Sequence, residues 1–302
     1  MKIINFIKQE YCKKLINDNF EYFFKENEIK NTLEKYPVID NITLKDWGFK
    51  VVINISGICS YNELESKVDY LKQLFRAIEI IISNRCGKVN MEIVLEDPGD
   101  IGYSIFITKN TTLVLGYDFK GQPILIDMLK TPHIGVQGLS MVGKSKMIES
   151  ALLNLVDADI VLVNCFQKDF TGINGLRING AEDILNYLVE IKDSKEYREK
   201  PLYIVIDELN ILGNDKKINS AIADLLSQAR HFNIYVIALG QTLLKENCPY
   251  KNLFNVRVTF KTIDKSMISA FLGCTIENTE LQQREFIVYS DSIKRGKTYL
   301  IA

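Results

Sequence analysis

The stretch Gly138-Leu139-Ser140-Met141-Val142-Gly143-Lys144-Ser145 decides how the rest of this 302-residue chain is read. It fits G-x-x-x-x-G-K-[ST], a loop whose glycines let successive backbone N–H groups turn inward toward a phosphate. Lys144 brings a point charge to the β/γ oxygens, and Ser145 offers a hydroxyl to Mg²⁺. His133-Ile134-Gly135-Val136-Gln137 leads in as a strand, while Met147, Ile148, Ala151, Leu152 and Leu155 follow at helical spacing. That strand–loop–helix context is what the motif requires. The candidate nucleotide-binding set is Gly138, Leu139, Ser140, Met141, Val142, Gly143, Lys144, Ser145 and Lys146.

Downstream, Ile160–Val163, Tyr203–Ile206 and Tyr235–Leu239 are short, continuous apolar runs. Such runs suit strands buried on both faces of a parallel sheet. Helical patterns lie between them at Ala181–Ile191 and Ile218–Arg230. The expectation is an α/β fold, a P-loop core with a parallel sheet over residues 113–302.

Tyr203-Ile204-Val205-Ile206-Asp207-Glu208 is an apolar strand ending in two acids, about sixty residues beyond the loop. Placed on a strand beside the loop's own strand, Asp207 would join Ser145 in holding Mg²⁺, through water. Glu208 would polarise the attacking water as general base. The next strand ends at Gly240-Gln241-Thr242, where Gln241 either senses a γ-phosphate or makes a strand-end hydrogen bond. Arg230 ends the preceding helix. A cation suits that position electrostatically, and it also suits a finger reaching an adjoining subunit's nucleotide. The residues alone leave both roles open. His133 is expected to pack under the loop strand.

Upstream, residues 1–37 read as a helical segment: Ile4, Ile7, Tyr11, Leu15 and Ile16 form one stripe, and Phe20, Phe23 and Phe24 continue it. Residues 38–112 read as a small α/β subdomain. Its expected elements are a strand over Trp47–Ile55, a helix capped by Ser60 and running to Ile82, and strands over Met91–Leu95 and Tyr103–Ile107.

With 47% apolar residues the chain has ample material for a core. A net charge of −1 advertises no global basic field, which leaves room only for positive charge confined to a few loops. Six cysteines without C-x-x-C spacing read as free thiols in a reducing compartment. Leu74–Ile82, interrupted by Arg76 and Glu79, is too short to span a bilayer. A cytoplasmic location with no intrinsic membrane span is expected.

Several segments together resemble the FtsK/SpoIIIE-type DNA translocases, which include the coupling proteins of conjugative elements. Leu115-Gly116-Tyr117-Asp118-Phe119-Lys120-Gly121-Gln122-Pro123-Ile124 is similar to the family's LG-x-D-x-x-G-x-P-x segment. Thr131-Pro132-His133-Ile134 matches its lead-in to the phosphate loop. Leu225-Leu226-Ser227-Gln228-Ala229-Arg230, then Ile234–Ala238 and Gln241, is similar to its "QKAR" helix, strand and terminal Gln. Asn255–Phe260 and Ser266 resemble its N-x-x-x-R-x-x-F strand and following serine. The resemblance covers residues from about 45 to 290.

What it implies is a RecA-like motor that hydrolyses ATP with Mg²⁺ between subunits of a homo-oligomer, a hexameric ring around double-stranded DNA. Arg230 then acts in trans. A relaxase or another element-encoded DNA-processing protein is the implied partner, and a mobile element (plasmid, conjugative element or phage) the implied setting. Two other functions remain: an ATP-binding adaptor without robust translocation, and a packaging or helicase-like ATPase on single strands. The loop interior Leu-Ser-Met-Val departs from the family's Gly/Ser/Thr-rich stretch, which bears on the speed of turnover. Gln241 is followed by Thr242-Leu243 in place of Arg-Pro.

Overall fold

The computed structural model describes residues 2–106, 108–212, 215–276 and 279–301, with side chains from Lys8 onward. Ile107, and the side chains of Ile4 and Ile7, therefore lie outside the described residues. The chain forms two compact units, Met1–Gly99 and Asp100–Ala302.

The first unit begins with α1 (Lys2–Glu26), in which Ile16, Phe20, Phe23 and Phe24 bury one face. It stops well before residue 36 because Glu28 is left-handed (φ 52) and the Ile29 N–H donates back to the Phe24 carbonyl at 2.9 Å. Buried Ile29 seals that turn, the usual apolar partner of such a C-terminal motif. There follow β1 (Val38–Lys45), β2 (Gly48–Asn54), α2 (Tyr61–Glu65), α3 (Val68–Phe75), β3 (Glu79–Arg85) and β4 (Lys88–Val94). The strands make an antiparallel sheet in the order β1-β2-β4-β3.

Ser60 caps α2, its hydroxyl accepting the Glu63 N–H at 3.1 Å. The helix does not run on to Ile82. Arg76 turns left-handed (φ 52) after α3, and Ile80-Ile81-Ile82 enters β3. β-Branched side chains fit a pleated surface better than a helix turn. Cys86 (φ 52) and Gly87 (φ 74) then close the hairpin to β4 with the paired positive φ that a two-residue turn demands. Phe20, Phe49, Val51, Leu64, Leu71 and Met91 share one core, so α1 and the sheet pack as a single body.

The second unit comprises β5 (Thr112–Asp118), β6 (Pro123–Asp127), β7 (Ile134–Gln137), α4 (Lys144–Leu153), β8 (Asp159–Val163), β9 (Leu176–Ile178), α5 (Ala181–Ser194), β10 (Leu202–Ile206), α6 (Leu209–Leu212), α7 (Lys216–Gln228), β11 (Ile234–Gly240), β12 (Val256–Thr259), α8 (Ser266–Leu272), β13 (Glu285–Tyr289) and β14 (Ile293–Lys297). Among the described residues they build a ten-stranded sheet, β6-β5-β14-β13-β12-β7-β11-β10-β8-β9. Neighbours from β12 to β9 are parallel, and those from β12 to β6 antiparallel. This is the mixed α/β architecture of a RecA-like P-loop core, with an antiparallel extension on one flank.

The parallel strands are buried on both faces. Ile204, Val236 and Ala238 pack in a core with Leu188 of α5 and Leu225 of α7. Tyr203, Val205, Tyr235 and Ile237 pack in the other with Met147 and Ala151 of α4. That two-sided burial is why the strands read as unbroken apolar runs.

Two expectations are corrected. The strand ending in Asp207 does not lie beside the loop strand, because β11 slots between β7 and β10. Tyr103–Phe106 is no strand: an isolated bridge joins Gly102 to Leu300, and Asn154 holds the Tyr103 hydroxyl and the Phe106 N–H at 3.0 and 2.8 Å. Among the described residues, no helix is long and apolar enough to cross a membrane.

Candidate nucleotide site

β7 ends at Gln137, and the backbone turns at once. Gly138 sits at φ 148, and a Cβ there would lie 2.7 Å from the Phe260 Cβ, so only glycine lets the loop leave the strand at that angle. Other strand ends fasten the back of the loop. Gly138 N–H donates to the Gln241 carbonyl (3.3 Å) and Leu139 N–H to the Lys261 carbonyl (2.9 Å), while the Val142 carbonyl accepts from Arg284 N–H (3.0 Å). Gly143 is left-handed and α4 starts at Lys144 with no side-chain cap. Its first N–H groups are the orphan donors that an anion satisfies, and the helix dipole favours negative charge there.

Lys144 is buried, its ammonium donating to the Gly138 and Leu139 carbonyls at 2.7 and 2.8 Å. Burial pushes its pKa down, and the carboxylates of Glu208 and Asp207 oppose that shift. Ser145 is half-buried in the first turn of α4. Met141 points out at 92% exposure, and Lys146 pairs along the helix with Glu149 at 2.8 Å.

Asp207 and Glu208 follow β10. Burial raises the Asp207 pKa to about 6, against a bond from the Glu208 N–H at 2.9 Å that lowers it. Glu208 is left-handed (φ 50), and among the described residues its buried Oε2 has no hydrogen-bond partner. A non-glycine residue held at positive φ with an unsatisfied carboxylate oxygen is strain of the kind that collects at functional sites. Gln241 follows β11, with its carbonyl on Gly138, its N–H on the Asn210 Oδ1 (3.2 Å) and its side chain exposed.

The phosphate loop, Asp207, Glu208 and Gln241 thus meet at the carboxyl ends of three parallel strands, the edge where such sheets bind ligands. Arg230 does not join them. It lies in the 3-10 turn Ala229–Phe232 that precedes β11, at the amino end of the strands. The seven residues of β11, about 23 Å at the usual rise, separate that end from Gln241. Its side chain is exposed, so within one chain it cannot serve this site. His133 is buried at the same lower edge, its Nδ1 accepting the Val236 N–H at 3.0 Å. Burial holds its pKa near 4, so the ring is neutral and acts as a peg between β7 and β11.

Sequence reasoning missed Gln137, Asn164 and Asn210. The Asn164 Nδ2 donates to the Asp207 carbonyl at 3.1 Å. Gln137 is fully buried under the loop, its amide reaching Thr259 Oγ1 (3.3 Å), the Met267 carbonyl (3.1 Å) and the Leu243 N–H (3.2 Å). The signal available for Gln137 was an amide at the end of an otherwise apolar strand.

No family model matches the chain. It is 25% identical over 237 residues to a DNA translocase FtsK of Pseudomonas putida, covering 54% of this chain and 28% of that protein. Among solved structures, the pCW3 conjugation coupling protein TcpA, a monomer form with ATPγS, superposes with a TM-score of 0.62 at 17% identity, over 94% of each chain. ATPases 2 and 3 of EssC from Geobacillus thermodenitrificans give 0.54 at 16% identity, over 84% of this chain and 55% of that one. The likeness to these solved structures is one of fold, that of a P-loop ATPase core. Sequence similarity to them is weak, and the chain spans little more than a quarter of the translocase it matches.

Proposed function

We propose that this chain is an ATP-hydrolysing subunit of an oligomeric motor that moves double-stranded DNA during transfer, replication or maintenance of a mobile element. The observation that carries the reading is the convergence of a glycine-bent phosphate loop, buried Lys144 and Asp207, and the strained Glu208, whose buried Oε2 has no partner among the described residues, on one sheet edge. The likeness to a conjugation coupling protein seen with ATPγS, and to a DNA translocase, supports it.

In this reading the loop N–H groups and Lys144 hold the phosphates. Ser145, directly, and Asp207, through water, would hold Mg²⁺, and the ion would supply positive charge against the phosphate oxygens. The donor set fits a hard cation that keeps most of its waters and takes one or two protein oxygens. The free oxygen of Glu208 accepts a proton from the attacking water, a task that its lack of any internal partner leaves open. Gln241, hydrogen-bonded through its backbone to the first glycine of the loop, reports the state of the phosphates to the segment that follows β11. Arg230 supplies the cation that completes a neighbour's site, so the working form is a ring, a hexamer by family resemblance, assembled in the cytoplasm. A relaxase or similar protein delivers its DNA.

The test is ATPase rate alone, with long linear duplex and with single-stranded DNA of equal length. Strong stimulation by duplex is expected. Stimulation by single strands alone would reassign the chain to the helicase or packaging class, and a DNA-independent rate would make it an adaptor.

A further inference from the structure

α1 carries a second stripe that the fold leaves uncovered. While Phe20, Phe23 and Phe24 face the small sheet, Lys8, Tyr11, Leu15 and Asp18 are exposed on the far side, Tyr11 at 62% and Leu15 at 44%. Their steps of three and four residues make one seam along the helix, the spacing by which two helices interlock. The seam is symmetric about Lys13: position 8 mirrors position 18, and position 11 mirrors position 15.

We propose that α1 pairs antiparallel with α1 of a second copy, about a twofold axis through Lys13. In that register Lys8 meets the partner's Asp18, Tyr11 meets the partner's Leu15, and each contact occurs twice, as a self-complementary interface requires. Charge selects this arrangement over its alternative. A parallel pair would stack Lys8 on its own copy and Asp18 on its own copy, two like-charge layers. The Lys13 ammonium is tied to Glu10 at 2.9 Å and sits on the opposite face of the helix, outside the seam. The inference stands on the first unit alone and needs no nucleotide, so it survives or fails independently of the motor reading.

The experiment is sedimentation of the full chain without nucleotide or DNA. Wild type should rise with concentration from 34.6 kDa toward twice that mass. Leu15→Glu should abolish pairing. Lys8→Asp and Asp18→Lys should each weaken self-association by about tenfold or more, since each creates two like-charge layers. An equimolar mixture of those two variants should pair again, because every charged layer in the mixed pair is opposite in sign. All three positions are exposed, and circular dichroism checks that the fold is kept. The proposal is overturned if wild type stays monomeric throughout, if the single variants associate like wild type, or if mixing them restores nothing.

Discussion

Asp207 and Glu208 are adjacent in sequence but do different things. Glu208 keeps a buried oxygen without a partner among the described residues. Its replacement by Gln should leave nucleotide binding intact and lower hydrolysis roughly 10²-fold or more, the usual worth of a positioned base. Single-turnover rates beside a binding titration check this, and normal turnover would reduce Glu208 to a strand-end acid. Asp207 has a pKa raised to about 6 from 3.8 by burial, so the folded state holds this proton more tightly than the unfolded one. Its contribution to stability is therefore best below the unfolded value and declines as pH rises through 6. Asp207→Asn carries no such charge. In nucleotide- and Mg²⁺-free buffer it should be more stable than wild type above pH 6, by roughly 3 kcal/mol, with the gap closing toward pH 4. Urea melts across that range decide it.

At the scale of elements, Gln137 is where β7, β12, α8 and the segment after β11 are joined. Its amide serves Thr259, Met267 and Leu243 with no exposure to water. Gln137→Leu keeps the volume but orphans the Leu243 N–H and removes a second donor from the Met267 carbonyl. The expected loss is about 1–3 kcal/mol of stability, with a raised KM for ATP as the Gln241–Leu243 segment loosens from the loop. Unfolding midpoints and steady-state kinetics read the two effects separately. An unchanged KM would confine Gln137 to packing. The helices taught a related lesson. Ser60 was recognisable as a cap, but the apolar spacing from Leu64 to Ile82 fitted a helix as well as a helix, a left-handed Arg76 and a strand. Only pairing with β4 settles Ile80–Ile82 as strand.

For the whole molecule, Arg230 is the test of assembly. It lies at the opposite end of the strands from Lys144, so any catalytic part it plays requires a second subunit. Arg230→Ala and Lys144→Ala should each be nearly inactive. Mixed together they should recover activity, because one interface class then pairs an intact Arg230 with an intact Lys144. Fingers of this kind contribute about 10³-fold or more, so sparse whole interfaces are visible. Specific activity should also rise with protein concentration. Activity independent of concentration, with no rescue on mixing, would leave Arg230 as a cation at a helix end.

The glycine-bent loop between β7 and α4, the acid pair after an apolar strand and the apolar runs of the parallel sheet were legible from sequence. Each is set by short-range chemistry: glycine's freedom at Gly138, the charge of Lys144, and burial of Tyr203–Ile206 on both faces. The order of strands across the sheet was not legible. Nothing local in Ile234–Gly240 says that it lies between β7 and β10, because strand neighbours are chosen by crossover connections and packing of whole helices. The antiparallel flank of β13, β14, β5 and β6 was hidden for the same reason, as its partners lie far apart in the chain. So was the buried amide of Gln137, whose meaning depends on Thr259, Met267 and Leu243 arriving at one point. Local sequence determined which groups could meet a phosphate, and only tertiary packing decided which of them stand together and which, like Arg230, lie at the other end of the strands.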